Sequence, residues 1–434
     1  MTPMMPSAAA TARGARVRAR LAAFLFATLA VAACGDTVDK LLTVTTPSRL
    51  ADDQYLVPQN AQLIVNSAVA DFECALGAYV VASGLSSGEL YDETQTASRW
   101  YYDRRDMPTT ETQYATRTCT ELGVYTPVST ARFTTDQALR KLDEWTDAQV
   151  PNRARLAARA ALYAGFSYVL LAEGFCTAAV NAGPELQTNQ ILDSAEARFT
   201  RTITFATAPA DSQLLRAAYV GRARARLDKG NKAGAADDAA KVPVNFVFNA
   251  TADNLAARRN NRVFSENNGG ASGVTIAVAY RNLTAGGVAD PRVRVTDQNR
   301  VGGDQVNRWF TQNKYASLTT PIPIATGVEA QLILAEAQGG AQGVATINAL
   351  RARAGVGLPA LTAAEVADFQ GTIYSERSRE LFLQGNHWFD VRRGNLTLTP
   401  TTGTPYPKGG VYGTQRCWPL PDVERAANPN IPKT

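Results

Sequence analysis

Two short segments of this 434-residue chain place aromatic rings directly beside charged side chains. The first holds Trp100, Tyr101 and Tyr102 between arginine and aspartate residues, and the second holds Trp309 and Phe310 beside an arginine. Flat aromatic faces stack on the apolar faces of sugar rings, while charged neighbours hydrogen-bond to hydroxyls or pair with peptide termini. The two segments therefore predict a binding surface for an oligosaccharide or a peptide. The alternative is that these rings pack in the core or face a protein partner.

The residues needed for catalysis are sparse. The chain has one histidine, His387, and lacks both a phosphate-binding Gly-x-x-x-x-Gly-Lys-Ser/Thr loop and a His-Glu-x-x-His motif. Residues 84–88 match the Gly-x-Ser-x-Gly pattern, but a nucleophile elbow requires a preceding strand, and here a helical pattern precedes Ser86. The chain also lacks the Cys-x-x-Cys pairs that are typical of structural zinc sites. We therefore expect a protein without enzymatic activity, metal or cofactor.

Over most of the chain the apolar residues recur at the helical period, so helices must position these rings. The predicted helices are 60–83, 131–148, 152–175, 191–206, 212–229, 232–240, 330–338, 344–354 and 363–384. The runs 214–228 and 233–240, separated by Gly230-Asn231, loosely resemble a tetratricopeptide (TPR) unit. Small residues on the first run, including Gly221, permit close helix packing. The sequence thus predicts a mainly α fold built from TPR-like helical pairs.

Between Pro243 and Thr326 the helical period is lost, and Gly, Asn, Thr and aromatic residues become frequent. A structureless segment of this length inside a compact domain is uncommon, and is usually either functional or wrongly assigned. We therefore predict an irregular, loop-rich region inserted between the helices.

Residues 373–394 combine a helical pattern with charges and large apolar side chains. Charged groups interleaved with aromatic rings are costly to bury unless they are paired. We therefore predict a structural motif of buried ion pairs and packed rings, with Gly385 ending the helix. The motif residues are Glu376, Arg377, Trp388, Asp390 and Arg392.

This segment resembles the C-terminal signature of the SusD/RagB family of outer-membrane nutrient-binding lipoproteins. Three further stretches resemble the same family in the expected order: Asp290-Pro291-Arg292, residues 331–337 and residues 347–355; the closing Trp-Pro-Leu-Pro at 418–421 completes the set. The chain departs from the signature at Gln384, where an acidic residue is usual, and at Asn386-His387 before the Trp.

The resemblance implies a SusD-like fold over 46–434, with TPR-like helices mainly in 131–240 and 330–390. It also implies that the irregular, loop-rich region packs on this helical scaffold and helps to form the ligand site. It implies a lipoprotein that binds an oligosaccharide or peptide and delivers it to a SusC-like TonB-dependent transporter. The alternative function is a lipid-anchored, TPR-like protein-binding scaffold that captures no nutrient. Such a scaffold would explain the helix pairs but not the irregular region or the ordered C-terminal motifs.

The first 33 residues have the pattern of a bacterial secretion signal, with four arginines before an apolar stretch too short to span a bilayer. The signal ends at Val31-Ala32-Ala33-Cys34, which resembles a lipobox. Cys34 is therefore the predicted lipidation site, followed by a tether over 34–45, on an outer-membrane protein that faces the cell surface. Removal of the signal lowers the net charge from +5 to +1. A nucleic-acid partner is not expected.

Four cysteines remain after Cys34 in a chain that leaves the cytoplasm, so two disulfides are expected. Three pairings are possible, and the sequence does not decide between them. We favour Cys74 with Cys119, both near the N-terminus, and Cys176 with Cys417, which would join the helical core to the C-terminus.

Overall fold

The computed structural model describes residues 52–270 and 272–432. It is mainly α-helical, which confirms the predicted fold class. The helices are α1 (Asp52–Tyr55), α2 (Ala61–Ser87), α3 (Ala97–Arg104), α4 (Thr112–Ala115), α5 (Tyr125–Glu144), α6 (Arg153–Gly174), α7 (Thr188–Phe205), α8 (Ser212–Asp228), α9 (Lys232–Ala239), α10 (Arg262–Asn267), α11 (Gly327–Gln338), α12 (Gly340–Ala352), α13 (Ala363–Ala367), α14 (Phe369–Glu380), α15 (His387–Arg393) and α16 (Asp422–Ala427). From Pro58 onward the described residues form one compact unit.

Helices that follow one another in the chain pack side by side, from α5 through α9 and then from α11 to α12. This is the expected arrangement of TPR-like pairs, in which each helix buries its face against its neighbours. Most predicted helices lie within a few residues of the observed ones. The predicted helix 363–384 is wrong as a single element, because Asp368 adopts a non-helical conformation and separates α13 from α14. The second helix also ends at Glu380, before Gly385.

Helix α2 forms the centre of the scaffold and packs against α5 and α6. Within the described residues one helical stretch, Pro58–Ser87, is long and apolar enough to cross a membrane, but 72% of its apolar window is buried inside the fold. It is therefore a core helix. Ser86 lies within α2 and is buried, so the Gly-x-Ser-x-Gly pattern forms part of a helix.

Short antiparallel strands account for much of the region that the sequence predicts to be irregular. The strands are β1 (Leu90–Asp92), β2 (Thr177–Ala179), β3 (Glu185–Gln187), β4 (Val247–Ala250), β5 (Val274–Ile276), β6 (Thr284–Ala285), β7 (Val288–Ala289), β8 (Val295–Val301), β9 (Arg308–Gln312) and β10 (Ile322–Thr326). They form two-stranded pairs β1–β5, β4–β10, β2–β3, β6–β7 and β8–β9. Six of these strands have only two or three residues, which is too short for an alternating pattern to be detected.

The structure contains two disulfides, Cys74–Cys119 and Cys176–Cys417, with Cα–Cα distances of 5.8 and 5.0 Å. These are the two pairs favoured in the sequence analysis. The second disulfide closes a loop of 241 residues and holds the C-terminal segment against the end of α6. Beside it, the Trp418 ring makes edge contacts with Tyr79.

Two glycines on neighbouring helices make room for one aromatic ring. A Cβ atom at Gly165 of α6 would lie 2.7 Å from Cε1 of Phe199 on α7, and a Cβ atom at Gly221 of α8 would lie closer still. Phe199 is fully buried. The close approach of α6, α7 and α8 therefore requires glycine, which has no side chain, at positions 165 and 221.

We predict that Gly221→Ala lowers the free energy of unfolding by about 1–3 kcal/mol, because overpacking against Phe199 outweighs the better helix propensity of alanine. Urea denaturation of Gly221→Ala, Phe199→Leu and the double variant measures the coupling. The smaller leucine should reduce the cost of Gly221→Ala. An equal cost in both backgrounds would contradict this account of the packing.

Candidate functional site

The first aromatic segment lies on α3, a helix that the sequence analysis missed. Tyr102 faces inward and is fully buried, and its hydroxyl donates a hydrogen bond to the Leu122 carbonyl at 2.7 Å. Its ring makes an edge contact with Trp418, with the centroids 5.7 Å apart. The prediction that Tyr102 contacts ligand is therefore wrong, because a ring enclosed on all sides cannot stack on a sugar.

Trp100 and Tyr101 are half-buried and stay partly open to solvent. The Trp100 indole N–H donates to the Thr94 carbonyl at 2.9 Å, which fixes the ring. The Arg104 guanidinium lies 5.1 Å from the Tyr101 ring centroid, and the Lys408 ammonium lies 5.4 Å from that of Trp100. We call Trp100, Tyr101, Arg104 and Lys408 the aromatic surface.

The second aromatic segment lies on strand β9, where alternate side chains face opposite sides. Trp309 is buried, and its indole N–H donates to the Asn267 carbonyl at 2.9 Å. The expectation that Trp309 contacts ligand is therefore wrong for the same reason as for Tyr102. Phe310 is half-buried, with the Arg281 guanidinium 3.9 Å from its ring centroid, so one face of this ring is already covered.

A buried group of carboxylates joins the aromatic surface to the β8–β9 hairpin. Lys408 forms ion pairs with Asp92 at 3.2 Å and with Asp304 at 3.3 Å, and Asp304 lies in the turn between the two strands. The Asn307 side chain donates to the Asp92 carbonyl at 3.4 Å. Lys408 thus connects three distant parts of the chain at one point, although it lies in a Gly-rich loop with no local signal of this role.

The same group contains two carboxyls whose burial is poorly compensated. Burial and the neighbouring Asp304 raise the pKa of Glu93 to about 8, and neither of its carboxylate oxygens has a hydrogen-bond donor among the described residues. Burial raises the pKa of Asp103 to about 7, despite a hydrogen bond from the Asp92 amide at 3.0 Å. We call Asp92, Glu93, Asp103 and Asp304 the acidic cluster. The acidic cluster holds Lys408 beside the aromatic rings, and the burial of its carboxyls lowers the stability of the fold.

The C-terminal motif forms the predicted buried ion pairs. Glu376 accepts hydrogen bonds from Arg292 at 2.6 Å and from Arg351 at 2.8 Å. Burial raises the pKa of Glu376, but these two guanidinium groups outweigh that effect and leave the pKa below its usual value. Asp390 accepts from Arg377 and from Arg393, each at 2.8 Å.

The two remaining motif residues have different environments. The Trp388 ring stacks on that of Trp418, with the centroids 6.2 Å apart. Arg392 donates to the Phe175 carbonyl at 3.0 Å and to the Thr188 hydroxyl at 2.8 Å, so it ties α15 to the end of α6 and the start of α7. All five motif residues therefore hold the fold together rather than bind ligand.

The structure offers little for catalysis or metal binding within residues 52–270 and 272–432. No group of three or more His, Cys, Asp or Glu side chains in this part of the chain could hold a metal ion. The buried hydroxyl of Ser86 donates to the Tyr102 carbonyl at 3.1 Å and accepts from the Trp418 indole at 3.0 Å. Ser86 is therefore a packing residue. Cys34 lies outside the described residues.

Comparison with known proteins supports the resemblance found in the sequence. Residues 327–431 match the family model of the SusD family. No curated protein matches the sequence. The segment match and the fold confirm that the chain is similar to SusD/RagB proteins.

Three solved structures illustrate the shared fold. A SusD-like carbohydrate binding protein from Bacteroides vulgatus has 16% identity and a TM-score of 0.66, covering 87% of this chain and 98% of that one. A SusD superfamily protein from Parabacteroides distasonis has 14% identity and a TM-score of 0.64, with 89% and 99% covered. A SusD-like carbohydrate binding protein from Bacteroides fragilis has 15% identity and a TM-score of 0.62, with 86% and 98% covered. At this identity the likeness establishes the fold.

The raised pKa of Glu93 predicts a pH-dependent effect on stability. The carboxyl of the unfolded chain ionises near its usual pKa of 4.5, whereas burial raises the pKa of the folded one to about 8. The unfolded state therefore binds fewer protons between these values, and this group lowers stability as the pH rises from 4.5 to 8. Glu93 therefore does not lower the unfolding free energy below pH 4.5, and its full destabilising effect is reached above pH 8.

Glu93→Gln cannot ionise and should therefore exceed the wild type in unfolding free energy at pH 8 by about 1–3 kcal/mol, after allowance for solvent screening. The two proteins should be close at pH 4. Urea denaturation across this range measures the difference. As a control, Glu121→Gln removes an exposed carboxyl whose pKa is lowered by the Thr118 hydroxyl, and should show no gain toward pH 8. Parallel pH profiles for wild type and Glu93→Gln would contradict the assignment.

Proposed function

We propose that this protein is a cell-envelope lipoprotein that captures an oligosaccharide and delivers it to a SusC-like TonB-dependent transporter. The supporting observation is the pair of partly exposed rings, Trp100 and Tyr101, held on a SusD-like fold beside Arg104 and Lys408. Two of the structural relatives are described as carbohydrate binding proteins. A peptide is the alternative ligand, because the same rings and cations also suit peptide side chains and termini.

The aromatic surface suits sugar for physical reasons. The Trp100 indole is fixed by its hydrogen bond to Thr94, and the ring of Tyr101 is positioned by the Arg104 guanidinium. Fixed rings lose little conformational freedom when a sugar stacks on them. The Arg104 guanidinium can also donate hydrogen bonds to sugar hydroxyls. The Lys408 ammonium is already paired with Asp92 and Asp304, so its part is to lie against the Trp100 ring. This arrangement binds and releases a ligand without changing it chemically, so the proposal is a binding protein and not an enzyme.

Delivery to a transporter rests on the resemblance to the SusD family and on the N-terminal sequence. In this proposal the acyl group on Cys34 anchors the protein at the outer membrane, and the segment over 34–45 serves as a tether. The barrel partner then carries the ligand across the membrane. A cell-envelope location is what the resemblance to the SusD family implies.

We predict that replacing both rings, in Trp100→Ala/Tyr101→Ala, weakens oligosaccharide binding at least about tenfold, because each lost stacking contact is worth about 1 kcal/mol. Isothermal titration of the detergent-solubilised full chain against gluco-, xylo- and manno-oligosaccharides and a tryptic peptide digest measures this effect. Phe133→Ala is the matched control, since Phe133 is 42% exposed on α5, away from the aromatic surface. Unchanged affinity in the double variant would remove the aromatic surface from the binding site.

We further predict that Cys34→Ala moves the protein from the membrane fraction to the soluble envelope fraction, because the acyl chain supplies the membrane affinity. Fractionation of cells that express each form, followed by immunoblotting, measures the distribution. Cys34→Ala leaves all residues of the compact unit unchanged, so its thermal unfolding should match that of the wild type. Retention of Cys34→Ala in the membrane would show that another segment provides the anchor.

A further inference from the structure

A second concave site lies apart from the aromatic surface. This cleft has a volume of about 390 Å³ and lies where β4, the start of α11 and the end of α14 meet. None of the five aromatic residues singled out in the sequence lines it. Its wall includes Val244 and Val247, which are 47% and 49% exposed. Exposed valines in a concave site favour an apolar group, because its burial against them removes apolar surface from water.

The cleft carries an excess of positive charge. Its charged lining residues are Arg292, Arg294, Lys314, Arg353 and Glu380. The Glu380 carboxylate already accepts hydrogen bonds from Arg292 at 3.2 Å and from Arg353 at 2.7 Å. Arg292 is further paired with Asp290 and Glu376. The charges of Arg294 and Lys314 are therefore left without a carboxylate of their own within the described part of the chain.

Lys314 is a cation of the cleft whose charge has no carboxylate partner within the described part of the chain. Its ammonium donates a hydrogen bond to the Phe382 carbonyl at 2.6 Å, a neutral acceptor that leaves the charge uncompensated. Burial lowers the pKa of Lys314 to about 8, although the more distant Glu89 and Glu380 act to raise it. A desolvated cation gains free energy when an anion comes into contact with it.

Arg294 supplies a second cation at the rim. Its side chain is exposed, and its Nε donates to the Pro291 carbonyl at 3.1 Å, which holds the guanidinium beside the cleft. A guanidinium can bind a carboxylate through two parallel hydrogen bonds. The cleft thus combines two available cations with an apolar wall.

From this combination we propose that the cleft binds a carboxylate that carries a small aliphatic group. The C-terminal residue of a peptide and a free short-chain acid share this chemistry. Because the cleft and the aromatic surface have no residue in common, this site is independent of oligosaccharide capture at Trp100 and Tyr101.

Isothermal titration of the full chain with acetyl-Ala-Ala-Val and with its C-terminal amide tests the proposal. The free acid should bind at least about tenfold more tightly than the amide, because hydrogen bonds to a charged carboxylate are stronger than those to a neutral amide. Arg294→Gln should weaken binding of the acid by a similar factor. Arg300→Gln is the matched control, since Arg300 is an exposed arginine like Arg294 but lies further along the hairpin, on β8, and does not line the cleft. It should leave the affinity unchanged.

Acid affinity should also fall as the pH rises from 7 to 9, because the Lys314 ammonium then loses its proton. Lys314→Gln should abolish most of this pH dependence. N-acetylvaline distinguishes the two ligand sources: binding as tight as that of the tripeptide indicates a free acid, and much weaker binding indicates a peptide terminus.

Three results would overturn the proposal. The first is an absence of measurable binding of both acids by the wild type, and the second is equal affinity for acid and amide. The third is loss of acid binding in Trp100→Ala/Tyr101→Ala, which would show one site and not two. If the wild type binds the acid but no oligosaccharide, only the proposed capture of oligosaccharide is refuted.

Discussion

Glu376 is almost fully buried and negatively charged, and it is neutralised only because Arg292 and Arg351 reach it from different parts of the chain. Asp390 imposes the same constraint on Arg377 and Arg393. Removing one partner of such a buried pair typically costs about 3–5 kcal/mol, because the other charge is left uncompensated. The helices α12, α14 and α15 can therefore pack in few other ways, and the loop before β8 is fixed to them through Arg292.

This constraint extends to the candidate site through covalent and aromatic contacts. The Cys176–Cys417 disulfide and the stacking of Trp388 on Trp418 hold the C-terminal segment against the helical core. The loop just before that segment delivers Lys408 to the acidic cluster and to the Trp100 ring. The aromatic surface is thus positioned by long-range contacts, at the cost of burying carboxyls such as Glu93 that lack hydrogen-bond donors among the described residues.

The sequence predicted most of the helices because their apolar residues recur at the helical period over several turns. It also predicted the ion-paired character of Glu376 and Asp390, since charges among large rings require partners. It could not predict the burial of Tyr102, which depends on Trp418 more than 300 positions away. The ion pair between Asp92 and Lys408 was missed for the same reason, because 316 positions separate two residues with no local pattern in common.

Delivery of ligand to a transporter in the envelope requires that this SusD-like protein and a barrel bind one another. Purification of the full chain from membranes through a C-terminal affinity tag, with identification of the proteins that accompany it, measures this association. We expect a TonB-dependent β-barrel to be recovered in an equal molar amount. Recovery of the lipidated protein without any barrel would contradict delivery to a transporter and would favour a protein that binds its ligand alone or serves as a scaffold.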